Sequence, residues 1–179
     1  MRSHIGWALG AAILTGFAGG QAAPEEGRLD GSRAPVLTGD VWWNADSLPK
    51  IGNGKVTIVH FWTFGCINCQ HNQPIYQRWL EKYKGTDVQM IGVHTPELEN
   101  ERDPANVRKY IEQQGVRYPV LFDPKAENWK RWQQQWWPAV YLVDRKGRLR
   151  YGWAGELTYK GSDADKRMEK WIEKLLAEK

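Results

Sequence analysis

The chain has 179 residues, 41% hydrophobic and 26% charged, enough for one ordinary globular core, which excludes a miniature domain dependent on disulfide staples. Its 25 Lys and Arg exceed its 21 Asp and Glu by four, but the charges are interspersed and form no basic stripe. That distribution argues against a nucleic-acid partner.

Residues 1–22 have the three parts of an export signal. Arg2 precedes an apolar run over 5–18, and Gly20-Gln21-Ala22 supplies a small-x-small cleavage site. The run is short for a spanning helix, which needs ~20 residues, although an uncleaved anchor is the alternative. Export predicts a periplasmic location, where disulfides form and persist. Residues 23–35, rich in Gly, Pro and charge, read as a flexible lead-in to a domain over 36–179.

Residues 36–43 offer a short strand or hairpin, and the β-branched run over 55–61 suits a buried central strand. A helix is expected from Cys66 to Tyr83, with Ile75, Trp79, Leu80 and Tyr83 on its apolar face. Pro74 should kink it. The next strand covers 88–93. Asp103 then caps a helix with Pro104 at its first position, and Gly115 ends that helix. A strand over 120–122, a helix over 126–134, and strands over 139–143 and 148–153 around a turn at 144–147 follow. Met168, Trp171, Ile172, Leu175 and Leu176 mark a last amphipathic helix. The expected order, β-α-β-α-β-α-β-β-α, gives an α/β fold with a mixed central sheet and helices on both faces.

The two cysteines, Cys66 and Cys69, are three residues apart. A bridge that short removes little unfolded-state entropy, so its value is chemical. They follow a strand and open a helix, where free N–H groups and the helix dipole favour a thiolate. Cys66 should therefore attack, and Cys69, one turn further in and shielded, should resolve the mixed disulfide. No second CxxC is present, and His60, His71 and His94 lack finger spacing, so neither a metal nor a cofactor is expected. Pro138 reads from the residues alone as an ordinary Pro at a strand start.

The segment Phe61-Trp62-Thr63-Phe64-Gly65-Cys66-Ile67-Asn68-Cys69 resembles the active-site segment of thioredoxin-like proteins, specifically the exported TlpA-like and DipZ-like thiol–disulfide oxidoreductases. The resemblance continues through Val93-His94-Thr95-Pro96-Glu97, Asp103-Pro104-Ala105-Asn106-Val107 and Trp136-Trp137-Pro138-Ala139-Val140-Tyr141-Leu142, covering about 36–160. It implies the thioredoxin-like fold and a cis Pro138 facing the dithiol. The backbone of Trp137 would then pair with a substrate strand. Trp62 and the pair Trp136-Trp137 would flank the redox site as an apolar rim. The remaining tryptophans named by the patterns, Trp79, Trp129, Trp132, Trp153 and Trp171, fit packing.

Two positions depart from family patterns. His60 stands where thioredoxins often carry a buried Asp, and it reads either as the proton acceptor for Cys69 or as a core His. Asn72 stands where some cytochrome-maturation reductases carry Glu. The resemblance implies protein disulfide or dithiol partners and a membrane electron donor, with the reducing direction favoured. A copper chaperone using the same cysteines is a competing expectation. A thiol peroxidase is another, because Thr63-Phe64-Gly65-Cys66 supplies a TxxC, although Val59 replaces the matching Pro.

Overall fold

In the computed structural model, residues 26–45 and 49–178 are described, so the export signal expected over 1–22 lies outside the described residues. Among the described residues one seven-stranded sheet has the order β1-β7-β6-β3-β4-β5-β2. At its centre is β3 (Val56–Trp62), flanked by parallel β4 (Val88–His94) and antiparallel β6 (Ala139–Val143). Beyond β4 lie parallel β5 (Val120–Phe122) and antiparallel β2 (Trp42–Trp43). Beyond β6 lie β7 (Leu149–Ala154) and β1 (Glu26–Arg28), both antiparallel. Every residue of β3 is buried, as a strand covered on both faces requires.

Strand alternation divides the core. Val56, Ile58 and Trp62 point to one side, where they pack with α1 (Ile67–Lys82), α2 (Pro104–Gln113) and α4 (Ala164–Ala177) through Tyr76, Trp79, Val107, Ile111, Met168 and Ile172. Burying each such large side chain contributes roughly 1.5–3 kcal/mol. Val59 and Phe61 point to the other side, with Val93, Leu121, Tyr141 and Val143. Among the described residues that face carries one short helix, α3 (Glu127–Arg131), so helices lie on both faces but unequally.

The uneven cover corrects the expectation of a flexible lead-in. Glu26–Arg28 pair with β7, Arg33 bridges to Arg148, and Leu29, Ala34, Leu37 and Trp42 pack on the face that α3 leaves open. The physical reason is that a sheet face this apolar must be buried by something. Elsewhere the elements follow the expected pattern. The Asp103 carboxylate accepts from the Ala105 N–H and Pro104 opens α2. The helix expected over 126–134 contracts to α3, and α1 runs on through Pro74.

Candidate active site

Cys66 is the N-cap of α1, directly beyond the C-terminal end of β3. Its extended backbone (φ −84°, ψ 114°) turns the chain from strand to helix, so its sulfur meets the open N–H groups of the first turn. Both cysteines are free thiols; Cys66 is half-buried, whereas Cys69 is 1% exposed. Cys66 is held down to about 7. The Cys69 side-chain hydrogen bond contributes most, burial opposes it, the N–H groups of Cys69 and Asn68 add to it, and Glu97 works against it. Burial pushes Cys69 far up, reinforced by its bond to Cys66 and the charge there, and a backbone hydrogen bond from Thr63 offsets only part. Exposure and ionisation are thus concentrated on one sulfur.

The opposite wall is the Trp137–Pro138 segment, whose peptide bond is cis. The Trp137 carbonyl lies 3.9 Å from Cys66 Sγ. Two anchors hold Trp137. Its indole Nε1–H donates to the Thr95 carbonyl at 3.1 Å, and its ring stacks on Trp129 at 4.0 Å. Trp129 comes from α3, whose first turn is fixed by buried Asp123. That carboxylate accepts from the N–H groups of Glu127, Asn128 and Trp129 and from the Thr95 hydroxyl. Trp136 is 53% exposed beside this wall, and Ile67 and Leu98 are further exposed apolar side chains near the dithiol loop.

Trp62 corrects the expectation that it lines the rim. It is 0% exposed, because alternation along β3 aims it inward with Ile58 and His60, and its ring packs against His94 and Tyr110. His60 is likewise fully buried, with ring centroids 4.1 Å from Tyr76 and 4.8 Å from Tyr118. Among the described residues neither of its ring nitrogens has a hydrogen-bond partner, and burial lowers it to about 3. Gly92 faces it across β3 and β4, and a Cβ there would meet Tyr118 at 2.8 Å, Trp62 Nε1 at 2.9 Å and His60 Nε2 at 3.0 Å. Only glycine admits those three rings so close to the backbone.

Asn72 is a bridge. Its Nδ2 donates to the Gly155 carbonyl and its Oδ1 accepts from the Leu157 N–H at 2.9 Å, while the Gly155 N–H donates to the Pro138 carbonyl at 2.7 Å. The helix carrying the thiols is thereby tied to the Pro138 segment. His71 lies on the surface against Glu156 at 2.9 Å. His94 is buried, with Nε2 3.4 Å from Thr63 Oγ1. Burial lowers it to about 4, against an opposing pull from Glu101. Sequence reasoning missed Glu101, Asp123 and the bridging role of Asn72. A cavity of about 290 Å³ lined by Trp79, Tyr83, Val88, Met90 and Arg117 shares no residue with this site.

The family model for "AhpC/TSA family" matches residues 31–152. Protein DipZ of Mycobacterium tuberculosis is 37% identical over 131 residues, covering 70% of this chain; the chain spans about a fifth, 19%, of DipZ. Thiol-disulfide oxidoreductase YkuV of Bacillus subtilis is 28% identical over 146 residues, covering 80% of this chain and 94% of YkuV. The crystal structure of a thiol-disulfide isomerase from Corynebacterium glutamicum superposes with a TM-score of 0.72 at 24% identity, covering 84% of this chain and 99% of that one, a likeness of fold. The chain belongs to the AhpC/TSA family, adopts the thioredoxin-like fold, and groups with thiol–disulfide oxidoreductases.

Proposed function

We propose that the protein reduces disulfides of partner proteins outside the cytoplasm, using Cys66 and Cys69, and is recharged by a membrane electron donor. The observation that carries this reading is the asymmetric dithiol: Cys66 held down to about 7 beside a protonated, buried Cys69. The Cys66 thiolate attacks one sulfur of a partner disulfide, and the other partner sulfur leaves as a thiolate. Cys69 gives up its proton and attacks Cys66 Sγ, which releases the second partner thiolate. The partner disulfide is reduced to a dithiol and the protein is oxidised to a Cys66–Cys69 disulfide; two electrons from the donor restore it. The Trp137 carbonyl beside Cys66, with Pro138 behind it and exposed Trp136 next to it, supports docking of an extended partner segment there.

The reducing direction and the export follow the resemblance and the signal-like segment over 1–22. The copper reading is weakened because, among the described residues, no group of three or more His, Cys, Asp and Glu could hold a metal. The peroxidase reading is weakened because the Thr63 hydroxyl is engaged by Glu101 and His94.

The test is a trap. Full-length protein carrying Cys69→Ser, expressed in the native host or a related bacterium, should accumulate disulfide-linked partners on Cys66 in the periplasmic or membrane fraction. Those adducts should vanish on Cys66→Ser. Folded protein that captures nothing through Cys66, or captures partners in the cytosol, overturns the reading.

A further inference from the structure

Glu101 is a buried carboxylate that the exchange reaction above does not use. It lies in a 3₁₀ turn, Glu99–Arg102, and is 0% exposed. Oε1 accepts from the Gly65 N–H at 2.6 Å; Oε2 accepts from the Glu97 N–H and the Leu98 N–H, each at 2.7 Å. The Thr63 hydroxyl also donates to it, which leaves the hydroxyl oxygen facing His94 Nε2. Gly65 is one residue before Cys66, and a Cβ there would meet Glu101 Oε1 at 2.7 Å and Leu98 Cδ1 at 3.0 Å. A Cβ at Gly65 would therefore press on the carboxylate and on the tip of Leu98.

We propose that Glu101 is a positioning residue for the dithiol: its carboxylate gathers the N–H groups of Gly65, Glu97 and Leu98 with the Thr63 hydroxyl and so locks the turn at 97–98 against the loop that carries Cys66. The bonding demands an anion. An ionised carboxylate accepts on both oxygens, whereas an amide would point a donor at backbone donors. Burial pushes the Glu101 carboxyl up, but the bonds from Thr63, Leu98, Gly65 and Glu97 outweigh it and hold it below its ordinary value.

The lock fixes the turn that brings a charge to bear on Cys66 from outside its own helix, opposite the uncharged Trp137 carbonyl. Cys69 and the N–H groups of Cys69 and Asn68 come from α1, and Glu97 comes from the locked turn. Glu97 is exposed, and its charge opposes thiolate formation on both cysteines. Leu98, half exposed, stands beside it on the rim. Glu101 thus acts through Glu97: by bonding the Glu97 and Leu98 N–H groups it fixes the turn whose charge opposes the thiolate. This rests on Cys66 being the attacking thiol, but the test reads ionisation alone and needs no partner protein.

The experiment measures the pH midpoint of Cys66 alkylation by iodoacetamide in the reduced, full-length protein. Glu97→Gln should lower the midpoint on the order of half a pH unit, the size expected for one exposed charge. Glu101→Gln should lower it similarly by freeing the turn, and the double variant should go no lower than either single one. If Glu101→Gln does not fold, Gly65→Ala, which drives the same carboxylate and Leu98 away, should lower the midpoint in its place. Unchanged midpoints in Glu97→Gln, additive shifts in the double variant, or a folded Glu101→Gln or Gly65→Ala that only melts earlier would each overturn the proposal.

Discussion

Cys66 and Cys69 are one helical turn apart, yet their surroundings drive them in opposite directions. Cys66 sits at the helix start, half open, with N–H groups, the Cys69 thiol and the Trp137 carbonyl around its sulfur. Cys69 sits inside, closed over by apolar and aromatic residues such as Trp62 and Tyr76, with little besides a backbone bond from Thr63 to favour its charge. The same burial raises Tyr76, and the charge of Cys69 raises it further. Chemical identity counts for little here. Three residues of sequence, converted by the helix into depth, assign attack to one thiol and keep the other protonated until a mixed disulfide draws it out.

The largest effect should come from exchanging either sulfur for oxygen. Cys66→Ser should abolish reduction of a model protein disulfide. Cys69→Ser should permit one attack and then stall as a stable mixed disulfide, visible by mass spectrometry. If Cys69→Ser turns over while Cys66→Ser forms the adduct, the assignment of roles is reversed. Alkylation of the native reduced protein should follow the same division. Iodoacetamide should label Cys66 with a midpoint near 7 and leave Cys69 unlabelled until denaturant is added.

This asymmetry was legible in the sequence because it depends on local order: a strand, a turn, then Cys at a helix start. Strands at 120–122 and 139–143 and the Asp103-Pro104 cap were equally local and emerged where the patterns put them. What escaped was non-local. Short β1 owes its existence to pairing with β7, and nothing in Glu26-Gly27-Arg28 announces a strand. Glu101 and Asp123 look like surface acids until the turns they bind are folded around them. Only the placement of Glu101 three residues after Leu98, as in a helix-start pattern, offered a hint. Trp62 was misjudged for another reason. Proximity to the dithiol along the chain suggested a rim, but alternation in β3 had already committed its side chain to the core.

A smaller effect should appear in the pH dependence of stability of the reduced protein. Cys66 titrates lower when folded, near 7, than its ordinary value of 9.0. Its contribution is therefore complete above about 9 and is lost as pH falls towards 7. Cys69 titrates higher when folded, so its contribution is intact below the ordinary thiol range and is lost as pH rises beyond it. The two signs predict a melting temperature that rises from pH 7 to about 9 and falls above. Cys66→Ser should lack the rise and Cys69→Ser should lack the fall, so each difference curve against the native protein isolates one of them. A flat difference curve for Cys66→Ser would mean that its environment does not favour the thiolate.

The smallest effect is expected at His60. As proton acceptor for Cys69, it would have to take up a proton within the core. Burial instead lowers it to about 3, no counter-charge offsets that, and His60 is not among the groups that shift Cys69. A ring that ionises so unfavourably is a poor base at neutral pH. Replacing it with Leu removes two polar atoms that lack partners among the described residues, a change that tends to be neutral or stabilising when the shape is kept. His60→Leu should therefore leave the melting temperature equal or higher, and the rate at which Cys69 resolves a preformed mixed disulfide within about threefold, less than the tenfold per 1.36 kcal/mol that a lost proton-transfer role would exceed. A resolving rate that falls more than tenfold and loses its pH dependence, with attack by Cys66 unaffected, would return His60 to the role of proton acceptor. It would also show that the inner thiol is shaped by a titrating partner as well as by depth.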